Sequence, residues 1–543
     1  MGPFDPRRRR FIAGMASWAA AGLSGCTMPD IHLCESSISD LSLPLGIDVH
    51  SHVFNGTDLQ IGEFFGQVVA NSVGSELQGI VTAVGSLLQD INWHTAPRAS
   101  EEIGRLAGLK TIYSACDATT KSSIDEAREM GYQAGRRALL DARDQAARRK
   151  ALAPSTNDAL EELLQPTYAQ WKAKRDVARK ARLAADSGLA AGKSITGAID
   201  FVLHNFNYRH VNVLDYLETY SQGARRKIDL LVPSLVDYDW WLARGSGTPS
   251  SLDDQVAVME RISVLTRGRV HGFVPFCPFR ETMGAGTSMN RVKDAIGNRG
   301  FIGVKLYPPM GFAPYNNTGR TVWADHPGSL PDDARLADFG ARLDAAMKGL
   351  FDWCRANDVP VMAHTNHSNG PNPAFEDLAG PERWGDALRA FPGLRVNFGH
   401  FGDCDAGGGD PAKLKAFLAL MSGPGGGRAY GDSGYFDNVL PDPDGVHATL
   451  ARLYGEPATS LIASRFMYGT DWEMILQERE VDSYFDRFMD LMDGLDPDAF
   501  FGRNAAAFLG LGRGERNRAR LDAFYDRNGV SQPDWIAKVD KLS

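Results

Sequence analysis

The sequence predicts a parallel α/β fold whose strands end in residues that can bind a metal. Short apolar runs alternate with amphipathic stretches typical of helices, such as 335–357 and 411–421. This alternation favours parallel strands joined by helices. Three of the runs, 45–54, 359–364 and 394–400, carry histidine at or near their ends. Because parallel-barrel enzymes place their reactive groups at the carboxyl ends of the strands, such endings predict a functional face.

The first run contains the most informative motif, His50-Ser51-His52. Side chains at positions i and i+2 of a strand point to the same face, so the two imidazoles lie together. That geometry suits one divalent metal ion. A His-x-His pair also arises readily by chance in a chain with 12 histidines, so the motif needs support from the other runs.

Four later runs give this support, because they end near Lys305 and at His364, His400 and Asp471. Each run is short, β-prone and bounded by turn or helix signals, which is typical of buried strands. Two further short runs, 228–235 and 270–276, are predicted as the second and third strands, and 428–432 as the seventh.

Together these motifs resemble the metal-dependent amidohydrolase superfamily, and more narrowly its amidohydrolase-related branch, which also contains non-oxidative decarboxylases. The motifs fall on the first, fourth, fifth, sixth and eighth strands and on a closing segment: Ile47 to His52, Gly303 to Pro308, Pro360 to Thr365, Asn397 to Gly402, Tyr468 to Trp472 and Phe501 to Ala506. The resemblance implies a distorted (β/α)₈ TIM barrel formed by residues 45–56 and 221–512, with a large helical insertion, 57–220, after strand 1.

The resemblance also implies the metal ligands. Four residues are implied as ligands of a first metal: His50, His52, His364 and Asp471. His400 binds a second metal or orients the substrate. In members with two metals a carbamylated lysine on the fourth strand bridges them, and Lys305 has that position; in decarboxylase-like members with one metal this lysine is not a ligand. Zinc is the expected ion for such a site, with manganese or iron as alternatives.

The expected function is metal-dependent hydrolysis of an amide, lactone or ester-like bond in a small molecule. Asp471 then moves the proton of the attacking water, and His400 stabilises the oxyanion or completes the second metal site. Two alternatives stand beside this one. The first is a non-oxidative decarboxylase of an aromatic or unsaturated carboxylate, with Lys305 or Arg320 as basic partner. The second is a catalytically inactive, envelope-anchored binding lipoprotein.

Asp432 and the remaining histidines carry weaker signals. Asp432 closes the predicted seventh strand, where it touches substrate, accepts a hydrogen bond from a ligand imidazole or caps a loop. We expect a loop role for His367, which follows the fifth strand.

The N-terminus predicts export. Residues 7–12 resemble a twin-arginine signal, 12–23 are apolar but too short to span a bilayer, and Leu23 to Cys26 resembles a lipobox with Cys26 as the lipidated residue. The expected location is the periplasmic face of a bacterial envelope, after a signal over 1–26 and a tether over 27–44. The alternatives are an export signal cleaved elsewhere and a misassigned start codon.

The insertion is rich in helix formers and is predicted to cap the barrel mouth or to form an oligomerisation arm. Four of its aromatic residues are candidate pocket walls: Trp93, Phe201, Phe206 and Tyr208. Residues 513–543 are predicted as a C-terminal tail. The five cysteines other than Cys26 show neither metal spacing nor a disulfide framework. A net charge of −9 argues against nucleic-acid binding.

Overall fold

The computed structural model describes the following residues: 33–34, 40–64, 85–86, 89–109, 112–114, 126, 129–138, 140–141, 144, 201, 204–220, 225–284, 286–323, 330–366, 371–402, 410–457, 459–478 and 480–542. The predicted export signal, Cys26, His367 and much of the insertion, including 145–200, therefore lie outside the described residues.

Eight short parallel strands form the centre of the fold. They are β1 Ile47–Ser51, β2 Leu230–Pro233, β3 Phe273–Pro275, β4 Gly303–Leu306, β5 Val361–His364, β6 Val396–Gly399, β7 Ala429–Asp432 and β8 Phe466–Met467. Strands β3 to β8 pair in sequence order, and β1 pairs with β2, all in parallel. Each run that the sequence predicted as a strand contains one of these eight.

Backbone contacts at the strand ends join the two sheets into a ring. Leu231 bridges to Val270, which connects β2 to the start of β3. On the other side, the amide of Val49 donates to the carbonyl of Tyr468 at 3.1 Å, and Thr470 donates to His50 at 3.1 Å. These bonds connect β8 to β1, so the predicted (β/α)₈ barrel is confirmed.

Helices follow most of the strands. Their bounds are α1 Ile61–Phe64, α2 Ala99–Leu106, α3 Arg209–Tyr220, α4 Asp239–Leu242, α5 Leu252–Leu265, α6 Pro278–Met283, α7 Thr287–Asn298, α8 Phe339–Asn357, α9 Pro381–Ala390, α10 Pro411–Ser422, α11 Pro443–Gly455, α12 Tyr484–Leu491, α13 Asn504–Leu509, α14 Arg516–Asn528 and α15 Asp534–Asp540. Helix α10 begins where predicted, because the Asp410 side chain caps the amide of Ala412 at 2.8 Å. None of the described helices is both long and apolar enough to cross a membrane.

The predicted C-terminal tail belongs to the folded barrel. Its helices α14 and α15 share a buried apolar cluster with residues from inside the barrel, among them Ile47 and Phe273. The hydroxyl of Tyr525 lies 2.6 Å from His271 Nε2, just before β3, and Lys538 donates to Asp229, just before β2, at 2.8 Å. The two helices therefore close the amino-terminal end of the barrel, opposite the predicted functional face.

The described parts of the insertion are bound tightly to the barrel. Arg209, at the start of α3, is fully buried and donates to Ser250 of the barrel at 3.1 Å, as well as to Asp58 and Glu102 within the insertion. Further along α3, the hydroxyl of Tyr216 donates to Asp48 of β1 at 2.6 Å. The predicted tether also takes part, since residues 33–34 pair in parallel with residues 113–114 of the insertion.

Candidate metal centre

Three of the predicted ligands meet at the carboxyl ends of β1 and β8. One ligand atom each from His50, His52 and Asp471 lies within 4.8 Å of the other two. Asp471 Oδ1 is 3.5 Å from His50 Nε2 and 3.3 Å from His52 Nε2. All three side chains are buried. Because β1 and β8 are neighbours in the closed ring, residues about 420 positions apart in the sequence come together.

Hydrogen bonds behind the rings determine where the protons lie. His50 Nδ1 faces a carboxylate oxygen of Asp432 at 2.9 Å, and His52 Nδ1 faces the carbonyl of Ser234 at 2.9 Å. Both partners only accept, so we assign a hydrogen to each Nδ1 and a lone pair to each Nε2. Burial lowers the pKa of His50 well below its usual range, with Lys305 adding to the effect, which agrees with a neutral ring.

Three acceptor atoms therefore face one another, and Asp471 Oδ1 is buried without a hydrogen-bond donor. Burying a polar atom in this way is costly unless a partner compensates it. A divalent cation supplies that compensation, and two imidazole nitrogens with a carboxylate oxygen form a donor set that zinc accepts. The residues present thus fit a metal ion.

His364 and His400 form a second pair beside this group. The ring of His400 lies 4.7 Å from that of His50 and 4.5 Å from that of His364. His400 Nδ1 donates to the carbonyl of Gly434 at 2.7 Å, so its Nε2 accepts from His364 Nδ1 at 3.1 Å. His364 Nε2 is then a buried lone pair without a partner, as expected for the predicted ligand. In this state His400 Nε2 has no hydrogen for an oxyanion, which favours its predicted metal-binding role.

Lys305 of β4 points into the same space. Its Nζ lies 3.3 Å from His50 Nε2, and its side chain is buried. Burial lowers the pKa of Lys305 to about 8, although Asp471 and Asp432 act in the opposite direction. An amine with a lowered pKa is nucleophilic near neutral pH, as carbamylation requires.

An apolar recess extends from Lys305 across the ends of β2, β3 and β4. Its lining comprises Leu235, Val236, Asp237, Trp241, Pro275, Phe276, Cys277, Lys305, Tyr307, Met310 and Phe312. The carboxylate of Asp237 accepts two hydrogen bonds from Arg280, at 2.6 and 2.8 Å, and Asp239 accepts a third. Lys305 is the cation among these lining residues.

Three glycines that the sequence analysis did not single out pack closely against His50 and leave room for its side chain. A Cβ atom at Gly434 would lie 2.4 Å from His50 Nδ1, one at Gly469 would lie 2.8 Å from His50 Cβ, and one at Gly399 would lie 3.1 Å from His50 Cε1. Each glycine follows or ends one of the strands β6, β7 and β8. Their positions next to His400, Asp432 and Asp471 were a usable signal of close packing at the strand ends.

Other predicted residues lie elsewhere. Arg320 donates to the carbonyl of Asn316 in a surface loop at 2.9 Å, so Lys305 is the basic side chain at the site. Among the aromatic residues considered as pocket walls, Phe201 is connected to the site through Phe54, since their rings are 6.4 Å apart and the Phe54 ring is 5.8 Å from that of His52. The other three lie elsewhere in the insertion: Trp93 donates to a backbone carbonyl, Phe206 belongs to a separate apolar cluster and Tyr208 packs near Arg105.

A family model for amidohydrolases matches residues 260–511. This part of the chain is similar to the amidohydrolase family. The match begins within α5 and contains β3 to β8 with Lys305, His364, His400 and Asp471. It does not include β1, so the assignment of His50 and His52 rests on the geometry described above.

The chain is also similar to solved structures at low identity. An uncharacterised TIM-barrel protein from Bordetella bronchiseptica is 16% identical, with a TM-score of 0.36, over 64% of this chain and 92% of that one. A probable 2-pyrone-4,6-dicarboxylic acid hydrolase from Acinetobacter baumannii is 13% identical (TM-score 0.32, 52% and 83%). A 2,6-dihydroxybenzoate decarboxylase from Rhizobium is 15% identical (TM-score 0.31, 52% and 84%). No curated protein matches the sequence.

Proposed function

We propose that the protein is a metal-dependent hydrolase that cleaves an amide, lactone or ester-like bond in a small molecule. The observation that carries this proposal is the group of three buried acceptor atoms on His50, His52 and Asp471, which face one another with no proton between them. The free Nε2 of His364 beside the group supports it as the fourth ligand. Zinc, bound there, supplies an acidified water and a polarised carbonyl.

The side chains provide the remaining chemistry. Asp471 Oδ1 receives no hydrogen bond, so this carboxylate is available to take a proton from water and to return it to the leaving group. Lys305 lines the recess, and its positive charge is available to stabilise the negative charge that develops on the substrate oxygen. The apolar lining excludes bulk water from the reacting groups, which strengthens these electrostatic interactions.

The recess favours hydrolysis over decarboxylation. A carboxylated substrate needs a cation that is committed to its carboxylate. Arg280, which pairs with Asp237 of the lining, is already held by two aspartates, so Lys305 is left as the one cation among the described lining residues. An uncharged carbonyl compound needs no such partner, and the aromatic and aliphatic lining suits its apolar part.

The test begins with elemental analysis of the purified protein, which we expect to contain at least one transition metal per chain. A panel of amides, lactones and esters is then assayed beside aromatic carboxylates, the latter for carbon dioxide release. We expect zinc-dependent hydrolysis that is lost, together with the metal, in a variant carrying His50→Ala and His52→Ala. His94→Ala, at an exposed position in the insertion, is the matched control and keeps both.

Each other outcome contradicts the proposal in its own way. Full metal occupancy in the double variant would refute the site. Release of carbon dioxide without hydrolysis would establish the decarboxylase alternative. Protein that binds no metal and has no activity would support the inactive binding lipoprotein instead.

A further inference from the structure

We infer that Asp432 is the positioning residue of this centre, because one carboxylate fixes the proton positions of His50 directly and of His400 and His364 through Gly434. The inference rests on the proposed function in one respect, namely that the rings are oriented in order to bind a metal. The hydrogen-bond arrangement itself exists whether or not the protein is a hydrolase.

Asp432 receives an unusually complete set of hydrogen bonds for a fully buried carboxylate. Its Oδ1 accepts from His50 Nδ1 at 2.9 Å, from the amide of His400 at 3.1 Å and from the amide of Gly434 at 2.8 Å. Its Oδ2 accepts from Asn397 Nδ2 at 2.5 Å. A residue that merely caps the loop after β7 does not need the contact with His50, which lies on β1 across β8.

The same contacts extend to the second pair of rings. By holding the Gly434 amide, Asp432 fixes the turn whose carbonyl accepts from His400 Nδ1 at 2.7 Å. His400 Nε2 is thereby an acceptor for His364 Nδ1, which leaves His364 Nε2 free. One carboxylate thus keeps the metal-facing nitrogens of two predicted ligands free of hydrogen.

The alternative tautomer of His50 is incompatible with metal binding. It carries its hydrogen on Nε2, the atom that faces Asp471 Oδ1, and that nitrogen then has no lone pair for a metal. Partners behind a ligand histidine select the tautomer, and their loss typically costs 10- to 100-fold in metal affinity.

Two features of the surroundings provide discriminating variants. An asparagine at position 432 retains an oxygen for the three donors on Oδ1, and its amide N–H finds an acceptor if Asn397 turns, because Asn397 Oδ1 has no partner now. A methyl group at Gly434, by contrast, would lie 2.4 Å from His50 Nδ1 and 2.9 Å from Asp432 Oδ1. Gly434→Ala therefore separates the pair while leaving the carboxylate in the chain.

The experiment uses the full chain labelled with ¹⁵N-histidine. Imidazole nitrogen shifts in the zinc-free protein report the tautomer of His50, assigned by its loss in His50→Gln, and competition with a chelator gives the zinc dissociation constant. We expect Asp432→Asn to keep the tautomer and to bind zinc within about threefold of the wild type. Asp432→Leu and Gly434→Ala should give mixed tautomers and raise the dissociation constant about 10- to 100-fold. Gly349→Ala, on the exposed side of α8 with open space around it, is the neutral control.

The inference is overturned if Gly434→Ala keeps the wild-type tautomer, or if the tautomer changes without any loss of zinc affinity. Should Asp432→Leu fail to fold, Gly434→Ala carries the test. A wild-type protein that binds no zinc contradicts the proposed function, while its tautomers still show whether Asp432 orients the rings, so the two failures are distinguishable.

Discussion

Glu102 of α2 is predicted to be the residue that holds helices α2 and α3 of the insertion together. Its carboxylate accepts from the amide and Nδ1 of His210, at 2.8 and 2.6 Å, and from the amide and Nη1 of Arg209, at 3.0 and 2.9 Å. Burial acts to raise its pKa, but these hydrogen bonds and charges outweigh burial and lower the pKa from 4.5 to about 2. A lowering of this size corresponds to about 3 kcal/mol in favour of the ionised folded state.

The perturbation is Glu102→Gln, which keeps the shape and removes the charge. The variant leaves the buried Arg209 with an amide N–H in place of an acceptor, so we expect the free energy of unfolding in urea to fall by about 3 kcal/mol at pH 7. In the wild type this contribution is fully present above about pH 4.5 and is lost as the pH falls from there through about 2, because the folded pKa is below the unfolded one. The variant should lack this part of the pH dependence, so its stability should fall less steeply than that of the wild type over the same range.

The matched control is Asp490→Asn. Asp490 pairs with Arg225 on the surface, where both side chains are more than half exposed, so its loss should change the free energy of unfolding by less than about 1 kcal/mol. If Glu102→Gln is no more destabilising than this surface change, the reasoning about the buried pair is refuted.

Three further predictions concern the site and the location. Lys305→Ala should lower the metal content from about two ions to one if Lys305 is a carbamylated bridge, with activity partly restored by short carboxylic acids; a value near one in both proteins indicates a single-metal site. Replacing Arg8 and Arg9 with lysine should leave the precursor in the cytoplasm, and Cys26→Ala should release soluble protein; membrane association that survives Cys26→Ala contradicts the lipid anchor. Phe201→Ala should raise KM without changing the metal content if the insertion borders the pocket, and an unchanged KM contradicts that role.

The strands could be predicted from sequence because each is a short apolar run with its own turn signals. The predicted second strand, 228–235, contains β2 but extends past it at both ends. The extra residues are buried, although Asp229 and Ser234 among them are polar. Their backbone bonds, such as those from Asp229 to Gly46 and from Leu235 to Phe273, are isolated contacts rather than a regular ladder. Local pattern shows that such residues are buried, whereas the paired neighbour decides where a strand stops.

The role of residues 513–543 could not be predicted for a related reason. The apolar residues of α14 and α15 are visible in the sequence, but their partners, such as Phe273 in β3, lie about 250 positions earlier. The sequence predicts a tail because the segment follows the last barrel motif. Its packing partners become apparent only when the amino-terminal end of the barrel is considered. The amino-terminal end of a ring of short strands exposes apolar side chains, and something must cover them.

The residues of the candidate site likewise fall into two groups: those that a local pattern reveals and those whose role depends on a distant contact. Five candidate residues could be predicted because each lies at or near the end of a run, and strand ends converge in a parallel barrel. They are His50, His52, Lys305, His364 and Asp471. Asp432 also ends a run, but its position is compatible with three roles. These roles differ in which atoms the carboxylate contacts, and its sequence neighbours do not show that. The decisive fact is a 2.9 Å contact between strands β7 and β1, which are not adjacent in the ring. A contact across the barrel depends on ring curvature and on the small size of Gly434 and Gly469 between the strands. The tautomer that leaves His50 Nε2 without a hydrogen is thus a property of the closed barrel, and no single segment of the sequence contains it.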